Sequence, residues 1–319
     1  VTPAVYRGLE EVPLDFAPSV LTIGNFDGVH VGHRFLMRKT TELAVRFGCK
    51  ASVLTFEPHP ARIVAPAKAP EMMTRIGRRC ELMGQDGIVQ VVVMPFTVEL
   101  AQLTPQQFVT NLLVGRLGVR AVVVGEDFRF GSRQQGNTEL LQAMGKAAGF
   151  HVELIAPILL RGERVSSSLV REHVARGEVS QAARLLTRPY SLEGAVVAGQ
   201  GIGRRETVPT LNLDPESKVI PATGVYVTCT EEPGSDRSWQ SITNVGYRPT
   251  FDGQSLTIET FLLSPFEGRT PPRIRVNFLW RVRDEQKFES PEALKAQILR
   301  DVSRAQAYHR HRAALTHMA

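Results

Sequence analysis

Apolar residues recur along this chain in two rhythms, and the change between them divides it. In the first part, short continuous apolar runs alternate with stretches spaced at three and four residues. Residues 20–24, 51–56, 88–94, 121–125 and 151–156 are such runs, the pattern of strands buried on both faces. Between them, residues 34–47 place Leu36, Thr40, Leu43, Ala44 and Phe47 on one helical face, with Gly48 as a stop. Residues 105–117 show helical spacing at Phe108, Leu112 and Leu113, and residues 137–148 predict a further helix. Strands that alternate with helices pair in parallel and predict a doubly wound α/β sheet. Ligands of such sheets sit beyond the carboxyl ends of the strands. Loops beginning at Gly24, Glu57 and Gly125 fall there.

After Leu186 the helical spacing nearly vanishes. Short runs bounded by Gly, Pro and Asp occupy residues 190–198, 224–230, 241–245, 256–263 and 274–282. They predict a small antiparallel β-barrel. One helix closes the chain. Ser290 is its natural N-cap, Pro291 its first residue, and Leu294, Ile298, Asp301 and Val302 its inward stripe and edge. The terminal Tyr308-His309-Arg310-His311-Arg312 is polar and basic and reads as a solvated tail, with metal capture by its histidines as the alternative. The division is placed at residues 1–186 and 187–319.

Composition narrows the class. The 319 residues are ample for two domains, and 43% hydrophobic with 22% charged residues is ordinary for a globular protein. Basic residues outnumber acidic ones by 38 to 32, a net charge of +6. That modest excess suits phosphorylated ligands and says little for nucleic acid. Cys49, Cys80 and Cys229 are dispersed, without a Cys-x-x-Cys. This argues against a disulfide framework or zinc site and fits a reducing cytoplasm. No apolar run approaches a membrane span, and the amino end lacks a basic-then-apolar signal. The expected partners are therefore small phosphorylated molecules, not nucleic acid or membrane; oligomeric state leaves no mark in the sequence.

The clearest chemistry follows the first strong run: Gly24-Asn25-Phe26-Asp27-Gly28-Val29-His30-Val31-Gly32-His33. Gly28 and Gly32 let backbone amides turn toward a ligand. The helix opening there offers unpaired N–H groups and the positive end of its dipole. His30 and His33 add donors for phosphate oxygens and for charge growing in a transition state. The alternative is a strand–turn–helix corner with two surface histidines. A second loop, Val124-Gly125-Glu126-Asp127-Phe128-Arg129-Phe130-Gly131, gathers carboxylate, aromatic and cationic groups. Asp127 suits a ring or ribose group and the aromatics a flat ring, although a buried Phe pair at a strand end gives the same string. Ser166, Ser167 and Ser168 precede Arg171 at a predicted helix start, a phosphate grip or simply a cap.

The second part calls for different chemistry. Gly199-Gln200-Gly201-Ile202-Gly203-Arg204-Arg205 is a flexible, basic turn suited to covering phosphates. Thr210 and Asn212, two residues apart, share one face of an extended segment and offer oxygen donors to Mg²⁺ and phosphate. Glu259 lies inside the apolar run 256–263, where a carboxylate is costly without a task or partner. It is the candidate base for a hydroxyl nucleophile. A hairpin loop, a turn and an edge-facing glutamate are the structural alternatives.

The first string resembles the His-x-Gly-His adenylyltransferases, whose phosphate nucleophile is already ionised and needs no base. With Thr55-Phe56-Glu57-Pro58-His59-Pro60, the Asp127 loop and the Ser166 to Arg171 segment, the chain resembles the bacterial bifunctional riboflavin kinase/FAD synthetases along almost its whole length. In the second part Asn244-Val245-Gly246-Tyr247-Arg248-Pro249-Thr250-Phe251, Glu259-Thr260 and Arg283-Asp284-Glu285-Gln286-Lys287-Phe288 carry the resemblance. It implies a Rossmann-like nucleotidyltransferase domain and a riboflavin kinase-like barrel with a terminal helix. It implies Mg²⁺ and ATP as requirements, riboflavin and FMN as substrates, and FMN and FAD as products. Asn25, His30, His33, Ser167, Ser168 and Arg171 would then hold ATP phosphates, assisted by Arg164. Asp127 would contact adenosine or flavin, and His59 and Pro60 would lie near the flavin. Thr210 and Asn212 would bind Mg²⁺ and ATP, and Glu259 would activate the ribityl 5′-hydroxyl. Gly24, Phe26, Asp27, Gly203, Arg204 and Asn244 complete the expected ligand-contacting set.

The departures are few. Ser167-Ser168 stands for Ser-Thr, which keeps a hydroxyl. Thr207-Val208 replaces Gly-Phe, Leu211 replaces Ala, and Gly268-Arg269-Thr270-Pro271 stands where the family has Asp-Leu-Tyr-Gly. The chemical residues are kept, so the expectation is an active kinase of altered affinity. Two other readings are an adenylyltransferase with an inactive barrel, and an RNA-binding relative of the aminoacyl-tRNA synthetases. The last predicts a basic stripe with exposed aromatics, which the chain lacks outside its tail.

Overall fold

Six parallel strands form the first part: β1 (Ala4–Arg7), β2 (Ser19–Ile23), β3 (Lys50–Glu57), β4 (Gln90–Pro95), β5 (Val119–Gly125) and β6 (His151–Ile155). The structure is a computed structural model and describes residues 2–197, 210–250, 253–264 and 268–317. The helices between the strands are α1 (Val31–Phe47), α2 (Ala61–Val64), α3 (Ile76–Gln85), α4 (Val98–Gln102), α5 (Pro105–Gln107) and α6 (Thr138–Ala148). From α5 the chain continues with π-type hydrogen bonding through Phe108–Arg116.

Consecutive strand residues face opposite sides, and both sides are covered. Val20, Val53, Val91 and Val123 pack with Met37 and Leu43 of α1 and Met83 of α3. Leu21, Leu54, Val92 and Val122 pack on the other face with Leu112, Leu113 and Leu141. This is the doubly wound sheet the apolar runs predict. Its strand order is β1-β4-β3-β2-β5-β6, so the winding reverses between β2 and β5. A crevice opens at the carboxyl ends where the order reverses, flanked by the two loops richest in chemistry.

Some details differ from the sequence expectation. On α1 the buried residues are Met37, Thr40, Leu43 and Ala44, whereas Phe47 is 41% exposed. Thr40, Leu43 and Ala44 face inward as predicted, Met37 is fully buried beside a partly buried Leu36, and Phe47 stands at the helix end, where Gly48 (φ 62°) turns the chain away. β1 is an edge strand of mostly exposed residues, so no apolar run marks it.

A short hairpin, β7 (Leu159–Leu160) and β8 (Glu163–Arg164), precedes α7 (Ser167–Ala175) and α8 (Val179–Leu186). The chain divides into two compact units between Ser167 and Ser168. In the second unit β9 (Tyr190–Val197), β10 (Thr210–Pro215), β11 (Gly224–Glu231), β12 (Ser238–Thr250), β13 (Gly253–Leu262) and β14 (Arg273–Arg283) close an antiparallel barrel. α9 (Pro291–His317) packs outside it, where Val225, Val227, Ile242, Leu279 and Ala305 make one apolar cluster. The alternate residues fill the interior. There Tyr226 packs edge-on against Phe278, and its hydroxyl donates to the Ala222 carbonyl. Burial pushes its phenol up to about 12.

The interior also holds five hydroxyls. Thr230, Ser241, Thr228, Thr243 and Thr260 are fully buried and linked in sequence at 2.8–3.0 Å, which satisfies groups that would otherwise be costly there. α9 corrects two expectations. Its first turns are exposed, with Leu294 and Ile298 at 41% and 38%, and the inward line is Asp301, Ala305 and His309. An ion pair from Arg283 on β14 to Asp301, 2.8 Å, ties the helix to the barrel at its third turn, beyond Leu294 and Ile298. The predicted solvated tail is therefore helical, and His309 within it is buried.

Candidate active sites

The loop after β2 adopts a conformation that few residue types accept. Gly28 has φ 78°, and Phe26 (52°) and Val29 (43°) also lie in the left-handed region. That region is unfavourable for a β-branched residue; full burial of both side chains holds it. The turn delivers His30 as the N-cap of α1. Its Nδ1 accepts the His33 N–H at 3.3 Å, which leaves the ring proton on Nε2. Gly32 permits this arrangement, because a Cβ there would stand 3.2 Å from the His30 ring. His33 stacks on His30 with centroids 3.5 Å apart and planes 17° apart, while Phe26 meets His33 edge-on at 5.2 Å.

The two imidazoles line a cavity of about 300 Å³ together with Gly24, Phe26, Asp127, Phe128, Arg164 and Ser167. Asp127 and Arg164 form an ion pair at its rim, each more than half exposed. Such an exposed pair contributes at most about 1 kcal/mol, so either partner can exchange the other for a ligand. Residues 155–158 supply the opposite wall. Sequence reasoning passed over them, although an apolar run continuing past a strand's carboxyl end marks such a wall.

The other predicted residues have distinct local roles. The Gly24 N–H donates to Leu54 O, continuing the sheet. The Asp27 carboxylate points into the protein and accepts the Met73 and Thr74 N–H groups at 3.0–3.1 Å. Ser167 Oγ donates to Asp27 O, 2.9 Å. Ser168 and Arg171 follow within the first turns of α7, Ser168 exposed and Arg171 half-buried. Asn25 Nδ2 lies 3.0 Å from His59 Nε2, and Pro60 is the N-cap of α2.

The barrel brings a second group together. β13 lies between β10 and β12, and its register sets Glu259 opposite Asn212 on one side and Asn244 on the other. Side chains directly opposite on one face approach to about 5 Å, so a carboxylate stands between two amides. Thr210 occupies the same face two residues from Asn212, opposite Phe261. Leu211 turns the other way and is buried, as its alternation with Thr210 and Asn212 predicts. Glu259, Asn212, Asn244 and Thr210 are each half-buried. Gly203 and Arg204, with the Thr207-Val208 departure, lie outside the described residues. Among the described residues no group of three or more His, Cys, Asp or Glu side chains could hold a metal ion.

Both groups of residues have counterparts in known proteins. A family model for FAD synthetase matches residues 13–169, and one for riboflavin kinase matches residues 186–309. The bifunctional riboflavin kinase/FMN adenylyltransferase of Pseudomonas fluorescens is 37% identical over 302 residues, covering 94% of this chain and 96% of its own. The chain belongs to that family. The corresponding Escherichia coli K12 protein is 36% identical over 282 residues, covering 88% of this chain and 90% of its own. A crystal structure of a Streptococcus pneumoniae protein named for macrolide efflux shares the fold, with TM-score 0.85 and 26% identity over 96% of this chain and 99% of that one. In this chain no helix among the described residues is long and apolar enough to cross a membrane. The FAD synthetase match thus spans the stacked histidines and their cavity, and the riboflavin kinase match spans the row of Asn212, Glu259 and Asn244.

Proposed function

We propose that the chain catalyses two successive steps in flavin cofactor synthesis, one in each unit. Riboflavin and ATP give FMN and ADP; FMN and a second ATP give FAD and pyrophosphate. The observation that carries this is the pairing of two unlike sites on one chain. One sets two stacked imidazoles at the amino end of α1 as donors; the other has a carboxylate between two amides. A phosphate nucleophile needs only the first kind, and an alcohol needs the second. Residues 1–186 would hold the adenylyltransferase and residues 187–319 the kinase.

In adenylyl transfer, an FMN phosphate oxygen attacks the α-phosphorus of ATP and pyrophosphate leaves. The His30 Nε2–H and His33 donate to phosphate oxygens as charge moves onto them. The amino end of α1 adds its dipole, and Ser167, Ser168, Arg171 and Arg164 suit the leaving pyrophosphate. Asp127 and Phe128 would receive adenosine or flavin, and His59 and Pro60 the flavin side. In the kinase step, Glu259 takes the proton of the ribityl 5′-hydroxyl as its oxygen attacks the γ-phosphorus. Asn244 and Asn212 orient that carboxylate and the reacting groups.

Mg²⁺ fits the donor set of the barrel. Thr210 and Asn212 offer a hydroxyl and an amide oxygen on one face, and Mg²⁺ characteristically takes one or two protein oxygens with water and phosphate as the rest. When bound, the ion would neutralise charge on the ATP phosphates. The cytoplasm is the proposed place of this work, in keeping with Cys49, Cys80 and Cys229 as free thiols; no nucleic acid enters this reading. Incubating the protein with riboflavin, ATP and Mg²⁺ and separating the flavins by chromatography tests it. FMN appearing first and FAD after it is the expected result. FAD from added FMN but never from riboflavin would reduce the protein to an adenylyltransferase.

A further inference from the structure

We propose that Arg79 is a positioning residue for adenylyl transfer, setting from behind the loop where Asn25 and His59 stand. The proposal rests on the reading of the β2–β5 crevice as the adenylyl-transfer site. Arg79 belongs to α3 and is absent from the cavity wall, yet it is the largest fully buried side chain among the described residues, 1% exposed. Arginine is almost never buried unless it is paired, and a well-packed apolar residue would fill the space without desolvating a cation. Burial does lower its pKa, opposed chiefly by the charge of Glu57. A cation kept in such a place has a task, and its partners identify it.

Nη1 donates to Asn25 O at 2.6 Å, and Nη2 donates to Glu57 Oε2 at 2.6 Å. Asn25 lies in the loop after β2; Glu57 ends β3 two residues before His59. One guanidinium thus ties two strand ends together, and the side chains that follow them, Asn25 and His59, meet at 3.0 Å. A rigid planar fork holds two acceptors at once, which the single ammonium of lysine does less well. The segment before α3 already grips the same loop through Asp27 at Met73 and Thr74. Arg79 is the second grip, on the side of Asn25. The loop's fold does not hang on it alone, because Thr55 Oγ1 also donates to Asn25 O at 3.3 Å, and Glu57 is 44% exposed and can be solvated. What Arg79 fixes is position, and a misplacement of about 1 Å costs about 10²-fold in rate.

The test uses the full chain with Arg79→Met, Arg79→Lys, Asn25→Ala and the Met/Ala double variant. FAD formation from FMN and ATP is measured beside riboflavin phosphorylation and thermal melting. For Arg79→Met, kcat of FAD formation should fall about 10²-fold, with the KM for ATP changing far less and FMN formation unchanged. Arg79→Lys should recover part of the loss. The double variant should be little worse than the worse single one, because both act through one group of contacts. Unchanged kcat in Arg79→Met overturns the proposal. So does a loss that adds fully to that of Asn25→Ala, or one that Lys does not relieve at all, since a merely structural residue behaves that way. If Arg79→Met does not fold, Arg79→Lys and its coupling to Asn25→Ala decide the matter by the same criteria. A wild-type chain that phosphorylates riboflavin but makes no FAD from FMN would refute the reading of the crevice itself, and this proposal with it.

Discussion

His30 is assigned two jobs with one ring: its Nδ1 caps α1 by accepting the His33 N–H, which puts the ring proton on Nε2, the atom proposed to donate to phosphate. The two can be separated. Asparagine is among the best N-caps, so His30→Asn keeps an acceptor for the helix while removing the ring donor. It should fold like the parent and lose about 10²–10³-fold in FAD formation, with FMN formation intact. Near-normal FAD formation, measured with supplied FMN, would assign His30 to capping alone. Glu259→Gln is the reciprocal case. It keeps size and hydrogen bonding but cannot take a proton, so riboflavin phosphorylation should fall about 10²–10⁴-fold while FAD still forms from FMN. A glutamine variant that phosphorylates riboflavin at the parent rate would remove Glu259 from the role of base. Both residues were legible in the sequence for local reasons, a glycine-framed histidine pair and a carboxylate in an apolar run. Arg79 was not, because an arginine on a helix ordinarily faces water and its partners lie 54 and 22 residues away. Nor was the row of Asn212, Glu259 and Asn244, which depends on the register of three strands.

Among the elements, the parallel sheet was the easiest to foresee, since strands covered on both faces need unbroken apolar runs. The barrel strands were legible only in outline. Their inward positions include Thr228, Thr230, Ser241, Thr243 and Thr260, and a hydroxyl satisfied by its neighbour across the strands reads in sequence as a residue for the surface. α9 misled for the opposite reason. Leu294 and Ile298 look like a packing stripe, but Arg283 sets the contact further along at Asp301. That contact carries His309 into the interface with β11 and β12, where its Nε2 has no hydrogen-bond partner among the described residues. Burial is the main cause that lowers the His309 pKa from its ordinary 6.5; the nearby Arg312 adds to it, and backbone bonds at Ser241 and Thr228 oppose it. The sign for stability follows. Below pH 6.5 the unfolded chain binds a proton that the folded chain resists, so stability is full above that pH and falls as the pH drops toward the lower folded value. The melting temperature of the protein should decline on that side, and His309→Met should flatten the decline. An identical slope in the variant would show that other groups control it.

At the scale of the whole molecule, the proposed kinase step should survive in a fragment of the chain, and the place of the cut matters. The riboflavin kinase match begins at residue 186, which would make residues 187–319 the natural fragment. Yet the compact unit that contains the barrel begins at Ser168, because α7 and α8 are packed on it. Ser180 Oγ donates to Leu279 O at 3.2 Å, and the Ala222 N–H donates to Val174 O at 3.4 Å. α8 also buries Val179, Ala182, Leu185 and Leu186. Each of its three larger side chains is worth roughly 1.5–3 kcal/mol when fully buried. Together they rival the whole net stability of a typical domain, about 5–15 kcal/mol. A fragment of residues 168–319 should therefore fold cooperatively and phosphorylate riboflavin. A fragment of residues 187–319 exposes the surface that α8 covers, and should melt far lower or remain unfolded, even though it keeps Thr210, Asn212, Asn244 and Glu259. Thermal melts followed by circular dichroism, with FMN formation as the second readout, compare the two. Equal melting temperatures would mean that α7 and α8 lend the barrel nothing, and that the kinase is complete from residue 187.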